Sequence, residues 1–217
     1  MKNISHSLAR WTTTLALGAL VCGAAQASAV LVTQGPEPAG GSYLSTATTQ
    51  NAESFTLDFA ASLSAFQWWG SDLDVSRFTV RFYDGELTDN DGFTPLTVSD
   101  ALLIKTASNE VDPCSDLLLC KYTLTLDTAI STKAHRKYFL AVFADRDAIW
   151  GWQEGAEGDG KSYFRDEDGT PWQDPSSPDL SLAVIGDRIV TPVPEPASVA
   201  LVALALAGAG ALRRRSA

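Results

Sequence analysis

The sequence predicts an all-β fold, an antiparallel jelly-roll-like β-sandwich, and three observations predict it. Apolar residues recur at every second position in several short stretches, turn-rich segments separate those stretches, and no stretch shows a convincing amphipathic helical period. Phe55, Leu57 and Phe59 alternate with Ser54, Thr56 and Asp58, which gives one apolar face. Phe78, Val80 and Phe82 repeat the pattern against Arg77, Thr79 and Arg81, and Tyr122, Leu124 and Leu126 repeat it against Lys121, Thr123 and Thr125. The run Tyr138-Phe139-Leu140-Ala141-Val142-Phe143 is apolar on both faces, as a central strand requires. Further strands are expected around residues 63–69, 102–106, 149–153, 161–165 and 180–185, with turns at 84–92 and 166–178, about eight or nine short strands in all.

The two ends carry different signals. Lys2 and Arg10 precede an apolar run at 15–24, followed by the small-residue sites Ala25-Gln26-Ala27 and Ala27-Ser28-Ala29. This is the order of a secretory signal peptide, residues 1–29, cut by signal peptidase after Ala29 or two residues earlier at Ala27. Cys22 raises a lipoprotein alternative, but Val21 is a bulky neighbour for a modified cysteine. At the other end, residues 193–217 place Pro194, Glu195 and Pro196 before an uncharged run at 197–212 and close with Arg213, Arg214 and Arg215. As a helix that run is about 24 Å long, short of a hydrocarbon core of roughly 30 Å. The prolines lack amide protons and start the helix after themselves. The arginines favour a cytoplasmic end, which places the rest of the chain across the inner membrane.

This ordered set of Pro-Glu-Pro, short apolar helix and arginine cluster resembles the PEP-CTERM sorting signal. The resemblance implies recognition and cleavage by an exosortase-like processing enzyme near the triplet, then transfer to the cell surface or outside the cell. Glu195 and its prolines are then recognition residues of a substrate. Pro36-Glu37-Pro38 lacks a following apolar helix and is not a second signal.

Between the ends lies an ectodomain, residues 30–192, long enough for one domain with a real core. Of 16 basic and 26 acidic residues, Lys2, Arg10, Arg213, Arg214, Arg215 and Glu195 lie in the end segments, which leaves 11 against 25, a net charge of about −14. That balance argues against nucleic acid as a partner. After signal removal Cys114 and Cys120 form an even pair in an oxidising space, and a disulfide between them is expected. Its loop is short, so its stabilisation falls at the low end of the usual range. His135 is the one histidine of the body, too few for a zinc set with two cysteines.

The segments Gln67-Trp68-Trp69-Gly70, Phe78-Thr79-Val80-Arg81-Phe82-Tyr83, Trp150-Gly151-Trp152-Gln153 and Gly158-Asp159-Gly160-Lys161-Ser162-Tyr163-Phe164-Arg165 are similar to a β-sandwich ectodomain recurring among exported bacterial proteins. That resemblance implies fold and compartment and brings no activity.

Three constellations stand out in the body. Trp68 and Trp69 point to opposite faces of a strand, while Trp150 and Trp152 share one face. The four either form a sugar-stacking platform or pack between the sheets. Asp84, Glu86, Asp89 and Asp91 crowd one loop, Asp166, Glu167 and Asp168 another, and Glu154, Glu157 and Asp159 a third. Asp84, Asp89, Asp91, Asp166 and Asp168 are weak Ca²⁺ candidates, since neither of their loops has EF-hand spacing and solvated acidic loops are the ordinary case. No Gly-x-Ser-x-Gly elbow or phosphate-cradling glycine loop is present. The sequence is therefore read as a non-catalytic, exported surface or matrix protein associated with exopolysaccharide. A carbohydrate-binding module is the alternative, and a glycan-acting enzyme the third reading.

Overall fold

The computed structural model describes residues 28–71, 75, 77–87, 92–99, 102–111, 118–145, 149–173 and 178–190. These hold twelve strands in two antiparallel sheets and no helix. In chain order the strands are β1 (Ala29–Gln34), β2 (Ser42–Leu44), β3 (Gln50–Thr56), β4 (Ala61–Ser71), β5 (Phe78–Asp84) and β6 (Phe93–Leu96), then β7 (Leu103–Val111), β8 (Leu118–Thr132), β9 (Lys137–Ala144), β10 (Gly151–Gln153), β11 (Ser162–Arg165) and β12 (Leu182–Arg188). Five of them form one sheet in the order β11-β3-β9-β5-β6. The other seven centre on β4, which pairs with β8 along one edge and with β12 and then β10 along the other. β1 adds to β12, β7 to β8 and β2 to β10.

The period-two stretches become the paired strands that the alternation predicts, because one face of each must leave water. Phe55 of β3 and Phe82 of β5 meet Phe66 of β4 across the gap, with ring centroids 6.3 and 6.2 Å apart. Phe78 of β5 sits edge-on to Trp68, Tyr122 and Trp150 at 5.8, 5.0 and 4.9 Å. These contacts join residues from both sheets into one buried cluster, the defining feature of a sandwich.

β9 explains its doubly apolar sequence. Tyr138, Leu140, Val142 and Ala144 face the inter-sheet core, while Phe139, Ala141 and Phe143 join a second buried cluster on the outer side. Tyr83 belongs to that outer cluster, with Phe93, Tyr163 and Trp172 packed against it. The strands beyond the expected eight or nine are β1, β2 and β6. β2 and β6 are short, and β1 is largely exposed, so none carries a strong apolar alternation.

Gly70 is fixed by close approach. A Cβ there would lie 2.4 Å from both the Gly151 carbonyl oxygen and the Trp150 ring. Phe78→Ala should cost about 3–5 kcal/mol through the cavity it leaves among three aromatic rings. Gly70→Ala should cost about 1–3 kcal/mol by overpacking. Urea unfolding followed by tryptophan fluorescence measures both, and a midpoint unchanged in Phe78→Ala would refute the assignment of Phe78 to the centre of the core.

Candidate functional site

Pro194, Glu195, Pro196, Arg213, Arg214, Arg215, the helix at 197–212 and the cleavage residue Ala27 lie outside the described residues. So do Cys114, Asp89 and Asp91. Ala29 opens β1, opposite Gly186 of β12. Cys120 is buried on β8 with its backbone opposite Gly70 and Ala107, and the expected bridge to Cys114 falls outside the described residues.

The sugar-stacking platform is corrected by burial. Trp68, Trp150 and Trp152 have no exposed surface, and only Trp69 is partly exposed. Trp150 and Trp152 do share a face, with ring centroids 6.2 Å apart, but that face looks into the sandwich. The Trp152 indole N–H donates to the Ser181 carbonyl at 2.8 Å. Large rings gain most when removed from water on all sides, and the gap between the sheets offers that.

Of the loop aspartates that the structure describes, Asp84 and Asp168 are engaged by arginines. Asp84 forms an ion pair with Arg136 at an exposed turn, and Asp166 is exposed. Asp168 takes a bidentate grip from Arg81 at 2.5 and 2.8 Å, a bond from Arg165 at 2.7 Å and one from Gln50 at 3.1 Å. Both its oxygens are taken by arginines, which leaves it a poor Ca²⁺ ligand. Arg165 is 1 % exposed, donates to Gln50 at 2.8 Å and lies 4.5 Å over the Trp172 ring. The Arg81 bonds, followed by those of Gln50 and the charge of Arg165, hold the Asp168 carboxyl down at about 2.

A different acidic cluster is assembled by the fold. Glu53 of β3, Asp159 and Asp179 each place one carboxylate oxygen within 4.8 Å of the others. Glu53 is in phase with Phe55, so it points into the sandwich, and it is wholly buried. Its oxygens accept the Ser54 N–H at 2.7 Å and the Leu180 N–H at 2.5 Å. Asp179 is 6 % exposed and accepts the N–H groups of Gly160 at 2.9 and 3.0 Å and of Lys161 at 3.1 Å. Asp159 is at the surface, where one oxygen accepts Lys137 Nζ at 2.6 Å and Ser54 Oγ at 3.3 Å. Burial pushes the Glu53 carboxyl well above its ordinary value; the two N–H donors oppose this, and the charges of Asp179 and Asp159 add to it.

The 155–161 loop between β10 and β11 wraps tightly enough to make this possible. A Cβ on Gly158 would lie 2.2 Å from the Asp179 carboxyl carbon, so only glycine lets the loop close on that side chain. Glu157 adopts φ 71°, an uncommon conformation for a residue with a side chain. Chemically, three close carboxylates can share a proton or hold a hard cation. They are poorly placed for glycoside hydrolysis, because Glu53 is enclosed and both its oxygens are tied to backbone donors, beyond reach of a substrate. Sequence reasoning noted Asp159 but missed Glu53 and Asp179. The available signal was Glu53 standing in phase with Phe55 and Leu57, an acid on an apolar face.

Comparison with known families matches residues 192–215 to the PEP-CTERM protein-sorting motif. No curated protein and no solved structure matches the chain. The motif marks a protein sorted to the surface by an exosortase.

Because Asp168 titrates below its unfolded value of roughly 3.9, its pairing stabilises the fold above that pH and is lost as pH falls through about 2. Asp168→Asn should be less stable than wild type at pH 6, with the gap closing between pH ~4 and about 2. Urea midpoints across that range test this, and parallel curves for the two proteins would sink it.

Proposed function

We propose that the mature ectodomain is a non-catalytic component of the cell surface or of the exopolysaccharide matrix, delivered by its sorting tail. The observation that carries this reading is the PEP-CTERM motif at 192–215, behind a β-sandwich. On this reading signal peptidase cuts near Ala27 or Ala29, and the short helix at 197–212 holds a transient precursor in the inner membrane. The exosortase then cuts near Pro194-Glu195-Pro196. A helix of about 24 Å spans only with local thinning or with snorkelling of Arg213, Arg214 and Arg215. That marginal fit suits a segment meant to be removed.

The condition of the polar groups supports a non-catalytic role. Asp168 is spent on two arginines, and Glu53 is closed off from solvent. Any association with exopolysaccharide then draws on the polar exterior and not on the four-tryptophan platform, since the indoles of Trp68, Trp150 and Trp152 lie inside. An acidic domain meets acidic glycans best where cations bridge the two.

Replacing Pro194, Glu195 and Pro196 with alanine in the source cell should leave an unprocessed precursor in the inner-membrane fraction. Wild type should yield a surface form lacking residues 197–217 by intact mass. An intact C-terminus on exported wild-type protein would overturn the processing step. Release of the protein by washing, with no co-extraction with exopolysaccharide, would overturn the matrix assignment alone.

A further inference from the structure

We propose that Glu53, Asp159 and Asp179 form a Ca²⁺ site, completed by the side-chain carbonyl oxygen of Gln34. The first observation is the separation already described: one oxygen from each carboxylate within 4.8 Å of the others. Ca²⁺ binds oxygens at about 2.3–2.6 Å, so two oxygens on one ion stand at most about 4.6–5.2 Å apart, and the cluster keeps within that limit.

The second observation is independent of the acids. Gln34 is 4 % exposed, and its Nε2 donates to the Ser54 carbonyl at 3.3 Å. That bond fixes which way the amide faces, because the reverse orientation would set two carbonyl oxygens against each other. The Oε1 atom is then buried without a hydrogen-bond partner. Such an orphan acceptor is costly and calls for a donor or a cation. Gln34 borders a recess of about 210 Å³ together with Ser54, Gly158 and Asp159. Ser54 joins the two sides, since its N–H reaches Glu53 and its hydroxyl reaches Asp159. Gln34 thus lines the same recess as Asp159, and the proposed donors, three carboxylates and one neutral amide, are a hard, all-oxygen set.

The choice of ion follows from that set. With neither histidine nor cysteine among the donors, Zn²⁺ and the softer metals are disfavoured. Mg²⁺ demands near-ideal octahedral geometry at 2.0–2.1 Å, and Glu53 and Asp179 are pinned by backbone N–H groups that resist contraction. Ca²⁺ tolerates irregular geometry, and the recess admits the water molecules that would fill its remaining positions. Lys137, bonded to Asp159 at 2.6 Å, stands at the rim and would give up that contact as the ion enters.

The test uses the exported protein, stripped with EGTA and followed by thermal unfolding and titration calorimetry with CaCl₂. For an extracellular-type affinity, 5 mM Ca²⁺ should raise the melting temperature by about 2–9 °C, with one ion bound per chain. Equal MgCl₂ should do much less. Asp159→Asn changes only a surface side chain and should abolish the Ca²⁺ response while the protein stays folded. Gln34→Leu should weaken binding at least tenfold. No heat and no shift in wild type would overturn the site. An equal shift with Mg²⁺, or in Asp159→Asn, would overturn it too, since that outcome is charge screening of an acidic surface. Because the sorting tail takes no part in the site, either result leaves the sorting assignment where it stands.

Discussion

The packing of aromatic rings between the two sheets is the constraint on which everything else rests. Phe78 is its hub, edge-on to Trp68, Tyr122 and Trp150 within 6 Å, while Phe55, Phe66, Phe82 and Tyr138 continue the layer along the sandwich. Rings of this size dominate the burial energy of a small domain, and edge-to-face geometry adds to it. The same packing forces Gly70 to be small, because the Trp150 ring and the Gly151 carbonyl already occupy the space a side chain would need. It also takes in three of the four tryptophans offered to a sugar, Trp68, Trp150 and Trp152.

Around that core the polar groups do a second job, fastening segments that have little apolar surface of their own. Arg165 and Arg81 converge on Asp168 and hold the turn after β11 against the outer face of the five-stranded sheet, with Trp172 beneath the Arg165 guanidinium. On the inner side, Asp179 gathers the N–H groups of Gly160 and Lys161, while its own backbone oxygen accepts the Gly155 N–H. Both devices pair a carboxylate with several donors, which offsets the cost of taking the charge from water. They differ in balance. Asp168 faces two guanidinium groups, whereas Glu53, Asp159 and Asp179 bring three carboxyl groups together with Lys137 as the cation bonded to Asp159.

Legibility followed the strength of the local signal. β3, β4, β5, β8 and β9 were readable because each must keep an apolar face in phase over several residues, and β9 because both its faces are covered. β2 and β6, of three and four residues, were not, since so short a strand has almost no period to detect and is held by its neighbours. Trp68 and Trp69 were correctly sent to opposite faces, but which face was wet depended on where the second sheet lay. The acidic loops near Asp84 and Asp168 drew attention by density of charge. The tighter cluster is built from Glu53 and Asp179, 126 positions apart in the chain.

The sequence by itself determined the destination and the class of fold. Pro194-Glu195-Pro196, the uncharged run after it and the terminal arginines act as contiguous text read by a processing enzyme, so no tertiary contact is needed to recognise them. Alternation likewise writes a strand into the residues that form it. Tertiary structure alone decided which side chains meet: that Trp150 and Trp152 face inward, that Asp168 is claimed by arginines, and that Glu53, Asp159 and Asp179 bring carboxylate oxygens within 4.8 Å of one another. The physical reason is that burial and electrostatic contact depend on separation in space, and in an antiparallel sandwich the sheet pairing brings together residues that lie far apart along the chain.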